Sequence, residues 1–155
     1  MGSKIKSVYA REVFSERGHP GVETTVITED GASGVAIATA GISVGKHEVQ
    51  FIYDEGPRWG GMGVQKAVEN VNKIIGSALK GMDATKQREI DEALINLDGT
   101  PNKSRLGGNA TASVSAAVLK AGAASLEIPL YQHVGGVNAC TLPVPGVNTV
   151  VGSDR

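Results

Sequence analysis

Val22-Glu23-Thr24-Thr25-Val26-Ile27-Thr28, followed by Glu29-Asp30-Gly31, decides the fold. Its residues alternate. Val22, Thr24, Val26 and Thr28 fall on one face, and Glu23, Thr25, Ile27 and Glu29 on the other. Successive side chains of extended backbone point to opposite sides, so a period of two marks a half-buried strand. Asp30-Gly31 is a hairpin signal, because tight hairpin turns need backbone with positive φ. Gly34 to Thr39 then reads as the returning strand. Upstream, Arg17-Gly18-His19-Pro20-Gly21 is dense turn chemistry. Lys4 to Phe14, with Ile5, Val8, Tyr9, Val13 and Phe14, reads as a strand that polar residues interrupt, and therefore as an edge. Three strands joined by short turns predict an antiparallel meander.

The character changes after about Gly63. Val64, Ala67, Val68, Val71, Ile74, Ile75, Ala78 and Leu79 recur at helical spacing, with Gly81 placed to end the helix. Asp83 or Thr85 is the expected cap of a second helix whose apolar face includes Ile90 and Leu94. Asp98-Gly99-Thr100-Pro101 ends it. Asn109 is the expected cap of a helix from Ala110 to Ala124, rich in small residues and suited to the middle of a bundle. Pro129 to His133 opens a short last helix, and Leu142 to Val147 reads as a short strand carrying two prolines. Strands first and helices afterwards predict an α+β domain: a three-stranded antiparallel meander followed by a helical bundle.

Composition agrees with one ordinary domain. The chain has 155 residues, 41% hydrophobic and 20% charged, and a formal net charge of -1. Such a balance creates no field to attract nucleic acid or an anionic membrane. No apolar run approaches the ~20 residues of a membrane span. Met1 to Ser7 has lysines but no apolar stretch after them, so no signal peptide is expected. Cys140 has no internal disulfide partner, which suits a reducing, cytoplasmic setting, and is read as a packing residue rather than a nucleophile. The 21 glycines are about twice the usual ~7% share and cluster in loops.

Several segments carry a resemblance. Tyr9-Ala10-Arg11, then Ser15-Glu16-Arg17-Gly18-His19-Pro20-Gly21-Val22-Glu23, resembles the opening of enolases, which typically read YAR and DSRGNPTVE. Lys66 to Asn72 is similar to their KAVENIN helix, and Leu97 to Ser104 to their LDGTxNKS turn. Gly108-Asn109-Ala110, Ser113-Val114-Ser115 and Lys120 to Ala124 resemble GANAxxxVSxAxxKAGAA. Pro129 to His133 and Leu142 to Pro145 match PLYxHI and LPVP. The segments keep family order from about Val8 to Asn148.

The resemblance implies a capping domain over residues 1–138, with 139–155 a linker and first strand of a (β/α) barrel. It implies a lyase that interconverts 2-phosphoglycerate and phosphoenolpyruvate in glycolysis, with two magnesium ions per site. The expected partners are a phosphorylated three-carbon acid and the barrel of the same or a partner subunit, in a homo-oligomer. Enolases typically read SGASTGxxE where this chain has Ala40 to Glu48. Gly41, Ile42, Ser43, Val44 and Gly45 are thus the expected substrate lid, with Ser43 as a magnesium ligand through hard oxygens. Read alone, Ser43 is one more polar loop residue. Glu48 is placed to steady the loop, His47 is a candidate substrate contact, and His133 is a packing residue of its helix. His19 is a turn residue. Arg11 and Glu23 match residues that pair between enolase subunits; read alone, they are solvated strand charges. Gly60 to Gly63 reads as a flexible link and not as a nucleotide loop.

The sequence also departs from the pattern. Ala40 replaces the first lid serine, Val44 the threonine and Tyr53 the arginine of LRDGD. The catalytic-loop histidine position falls on Arg155, which can hold a phosphate but exchanges no proton near neutral pH. A (β/α) barrel takes ~250 residues, so its carboxylates and lysine base are not in this chain, and the 155 residues alone are expected to be inactive. Two alternatives remain: a divergent relative acting on another acid, and a non-catalytic dimerisation or interaction module.

Overall fold

In the computed structural model, which describes residues 2–40 and 44–147, β2 (Pro20–Thr28) is the central strand. β1 (Ile5–Phe14) and β3 (Ser33–Thr39) flank it in an antiparallel sheet of order β1-β2-β3. Val22, Thr24, Val26 and Thr28 are all fully buried, as their alternation requires. The opposite face is open to solvent and carries Tyr9, Ile27, Val35 and Ile37. In register, Thr25 stands between Tyr9 and Val35, and Glu23 between Arg11 and Ile37.

Helices cover the other face. α1 (Gln65–Glu69), a π-helical stretch (Asn70–Ile75) and α2 (Gly76–Leu79) run on from one another, followed by Gly81. Their apolar side, with Ala67, Val71, Ile75 and Leu79, is fully buried. The free edge of β1 is closed there by a side chain. The Asn72 carboxamide accepts from the Ala10 N–H at 2.7 Å and donates to the Ala10 carbonyl at 3.0 Å. One side chain thus satisfies the donor and acceptor that an edge strand leaves unpaired.

α3 (Gln87–Asp98) and α4 (Gly108–Ser125) complete the layer, and α5 (Leu130–Gly135) follows. α4 lies against β2 and β3 and also touches α1, α3 and α5, the central place that its small residues predicted. A Cβ on Gly34 would come within 2.2 Å of the Ala117 carbonyl oxygen and 2.4 Å of the Ala121 nitrogen. Sheet and helix approach that closely only because β3 carries glycine there. A buried Thr24–Ser113 hydroxyl contact of 2.8 Å joins the layers; Ser113 donates onward to the Ala110 carbonyl, so Thr24 is the donor.

Three local expectations are corrected. Neither Asp83 nor Thr85 caps α3, whose cap position is Lys86. Asp83 instead accepts from the Ser3 hydroxyl and from the Thr85 amide and hydroxyl, which braces the turn before the helix. Leu142 to Val147 forms no strand: these residues are exposed, Pro143 and Pro145 have no N–H to donate, and no described strand lies beside them. Cys140 is not a packing residue but exposed.

Candidate functional site

Asp98 organises the turn before α4. Its side chain is buried, with Oδ2 accepting from the Leu106 amide at 2.7 Å and Oδ1 from the Thr100 amide at 3.0 Å and the Thr100 hydroxyl. The Asp98 carbonyl accepts from Arg105 Nε at 2.9 Å. Burial works to raise the Asp98 pKa, but the hydrogen bonds from Thr100 and Leu106 outweigh it and hold the carboxyl below its ordinary value. The result is a fixed loop ending in Gly107-Gly108-Asn109.

That loop holds an extended strap, Val49 to Asp54. The Gln50 amide donates to the Asn102 carbonyl at 2.7 Å, and the Gln50 carbonyl accepts from the Gly108 amide at 2.7 Å. Two residues on, the Asn109 carboxamide accepts from the Ile52 amide at 3.2 Å and donates to the Ile52 carbonyl at 3.0 Å. Two further on, the Asp54 amide donates to the Gly63 carbonyl at 2.8 Å. Residues two apart in extended backbone present their polar groups to the same side, so the strap is stitched along one edge. Glycine is required beneath it. A Cβ on Gly108 would lie 2.4 Å from Val49 Cγ2, and Gly107 has φ +99° with Asn109 Oδ1 2.6 Å from its would-be Cβ. Asn109 is therefore not the cap it was expected to be. α4 starts at Gly108 with Gly107 at the cap position, and the Asn109 side chain reaches sideways to the strap.

Beside the strap lies an open cleft of ≈ 520 Å³, whose lining includes Ala40, Val44, Gly45, Phe51, Tyr53 and Asn102. The Phe51 and Tyr53 rings lie near each other, tilted by 47° with centroids 6.4 Å apart. Burial pushes the Tyr53 phenol above its ordinary pKa. The strap's far end is held by charge. Asp54 accepts from the Gln65 and Lys66 amides at 2.9 and 2.8 Å, which caps α1. Glu12, on the inner side of β1, accepts from the Val64 amide at 2.9 Å and pairs with both terminal nitrogens of Arg58. Burial raises the Glu12 pKa, yet Arg58 and the Val64 amide bring it below the usual carboxylate value. Gly60 and Gly61 belong to a short 3-10 turn, Arg58–Gly61, where Trp59 meets the Phe14 ring edge-on with centroids 4.8 Å apart. The glycine run is a folded turn held at both ends.

The order of elements, a three-stranded meander and then helices, matches what the resemblance implied. The family described as Enolase, N-terminal domain, matches residues 5–134. The chain belongs to the enolase amino-terminal domain family. It is 52% identical over 149 residues to the enolase of Methanocaldococcus jannaschii, covering 96% of this chain and 35% of that protein. It is 54% identical over 149 residues to the enolase of Pyrococcus furiosus, covering 96% of this chain and 34% of that one. The chain thus spans about a third of the length of these relatives.

Within this enolase domain, Gly41, Ile42 and Ser43 of the expected lid and Arg155 lie outside the described residues. Val44 and Gly45 are described and exposed, at the mouth of the cleft. The Glu48 amide closes a turn onto the Gly45 carbonyl at 3.1 Å. His47 is exposed, His133 is half-buried on α5, and His19 sits in its turn with its backbone bonded to Ser15. Arg11 and Glu23 pair with each other across β1 and β2 at 2.6 Å, on the open sheet face. Among the described residues no three His, Cys, Asp or Glu side chains are grouped to hold a metal ion. Nor is any described helix long and apolar enough to cross a membrane. Asn109, Asp98 and Asn102 are the site residues that sequence reasoning missed. The available signal was Gly107-Gly108 directly before an asparagine, a backbone built for close approach.

Proposed function

We propose that this enolase domain is the cap of a magnesium-dependent lyase that interconverts 2-phosphoglycerate with phosphoenolpyruvate and water. The observation that supports it is the cleft. Ala40, which precedes the resemblance-assigned lid, and Val44 and Gly45 of that lid line the same hollow as Phe51 and Tyr53 on the fixed strap. A loop that leaves β3 and returns to anchored backbone is suited to fold over a ligand and exclude water. The cap positions and shields; proton transfer belongs to the barrel. The resemblance assigns the carboxylate ligands of magnesium to the barrel, with Ser43 as the cap's contribution. In this reading Gly41 and Gly45 are the hinges, Arg155 is a phosphate contact and not an acid, and the setting is the cytoplasm. Arg11, exposed, and Glu23, half-buried beside it on the open sheet face, are the assigned contacts in a homo-oligomer.

The test joins this chain to the barrel of the Methanocaldococcus relative and follows phosphoenolpyruvate absorbance with and without magnesium. Turnover by the joined protein and none by the 155 residues alone is expected. Turnover by the 155 residues alone would refute the assignment of chemistry to the barrel. So would a folded joined protein that binds magnesium but turns over nothing.

A second reading has one observation in its favour. Tyr53, partly buried in the cleft wall, stands where enolases usually carry an arginine. Replacing a cation by a phenol favours a less anionic acid substrate. If that reading holds, Tyr53→Arg in the joined protein raises kcat/KM for 2-phosphoglycerate; an unchanged or lower value removes it.

A further inference from the structure

We propose that Asn109 is a positioning residue of the cleft: its carboxamide locks the backbone of Ile52 and so sets where Phe51 and Tyr53 stand. The inference rests on the reading that the cleft receives substrate. Asn109 is only 1% exposed, and both polar ends of its side chain are used on a single residue of the strap. Chemistry fixes the orientation of the amide, because only Oδ1 can accept from an N–H and only Nδ2 can donate to a carbonyl. This two-bond grip replaces one rung of a β-ladder with a side chain. A ladder would need a neighbouring strand; α4 is a helix and gives the strap only the Gly108 amide of its first turn.

The surrounding contacts make the grip directional. Gln50 is held from the same side by the Asn102 carbonyl and the Gly108 amide, and Asp54 by the Gly63 carbonyl. Residues 50, 52 and 54 therefore turn their backbone polar groups inward, so Phe51 and Tyr53 lie between fixed points. Of these three grips on the strap's backbone groups, only the middle one is supplied by a side chain. It is also the one that separates the two aromatic residues. Elsewhere Asn72 applies the same two-bond grip to Ala10 of β1. That grip closes a sheet edge outside the lining of this cleft, which makes it an internal control.

The experiment compares Asn109→Ala, Asn109→Asp and Asn109→Leu with the native 155-residue chain by amide hydrogen exchange. Asp keeps the acceptor for the Ile52 amide but loses the donor; Leu keeps the volume and loses both. Loss of one hydrogen bond from a locally opening site accelerates exchange by about ten-fold. The Ile52 amide is expected to exchange at least about ten-fold faster in the Ala and Leu variants and least changed in Asp, while Val26 in β2 stays within about two-fold. The Tyr53 ring resonances shift with the Ile52 effect. Native-like Ile52 protection in the Leu variant would show that Asn109 only fills space and would overturn the proposal. Should the Ala variant unfold, the Asp and Leu variants carry the same comparison.

A kinetic arm uses the chain joined to the relative's barrel. Asn109→Leu, which loses both bonds, is expected to raise KM severalfold with kcat little changed, the mark of a displaced binding wall. Unchanged KM with lost Ile52 protection overturns the role in the cleft. Loss of all effect in Ser43→Ala would instead count against the lid reading, so the two failures are told apart.

Discussion

Asp98 shows how much one buried carboxylate can do. It terminates α3 and accepts from the Leu106 amide and from the Thr100 amide and hydroxyl, so truncating it orphans all three donors. Asp98→Ala is expected to lower stability by about 3 kcal/mol, read from denaturant midpoints. The pH dependence follows from the direction of the shift. The folded pKa lies below the unfolded one, so the contribution is fully present above about pH 4–5. It is lost as pH falls through the unfolded value near ~3.9 towards the folded one. Asp83 shifts the same way, chiefly through the Ser3 hydroxyl, and Glu12 too. Melting temperature should hold level from pH 7 to about 5 and fall below that, with a shallower fall in Asp98→Asn. An equally steep acid limb in that variant would contradict the assignment. In the sequence, Asp98 was legible only as a helix stop. Its partners lie at positions 100 and 106, across a loop whose closure no periodicity reveals.

At the scale of elements, the close approach of β3 to α4 is the most exacting feature. Gly34→Ala places a methyl group 2.2 Å from a helix carbonyl oxygen, and backbone on both sides must move. A cost of about 3 kcal/mol is expected in thermal or denaturant unfolding; a cost below about 1 kcal/mol would mean the layers sit further apart. The turn between the strap and α1 gives a second case. Arg58→Ala leaves Glu12 with one donor, the Val64 amide, and removes the charge that faces it. Limited proteolysis between 55 and 61 should quicken severalfold while far-UV dichroism is unchanged. The strands were legible because β2 alternates without a break and its neighbours are flanked by turn residues. The helices were legible by their spacing. The caps were not, because asparagine and aspartate are favoured equally at a helix start and at a backbone clamp. Asn109 took the second role because Gly107 and Gly108 bring the strap within reach. Leu142 to Val147 had strand composition, but composition cannot supply the neighbouring ladder a strand needs.

For the whole molecule, family membership was legible in the order of motifs, none decisive alone. The cleft was legible only in part. Val44 and Gly45 of the lid motif are in its lining, whereas its wall, Phe51 and Tyr53, lies in a segment with no regular period whose Gln50 and Ile52 are held by groups more than fifty residues away. The chain spans about a third of the relatives it matches, so the proposed capping role is tested most directly in the protein joined to a relative's remaining two thirds. The decisive measurement is magnesium-dependent turnover of 2-phosphoglycerate by the joined protein carrying Ser43→Ala. Loss of one group acting at the reacting centre is expected to lower kcat by about a hundredfold or more, with the fold intact by dichroism. A kcat equal to that of the unaltered joined protein would contradict the assignment of this domain as a catalytic lid.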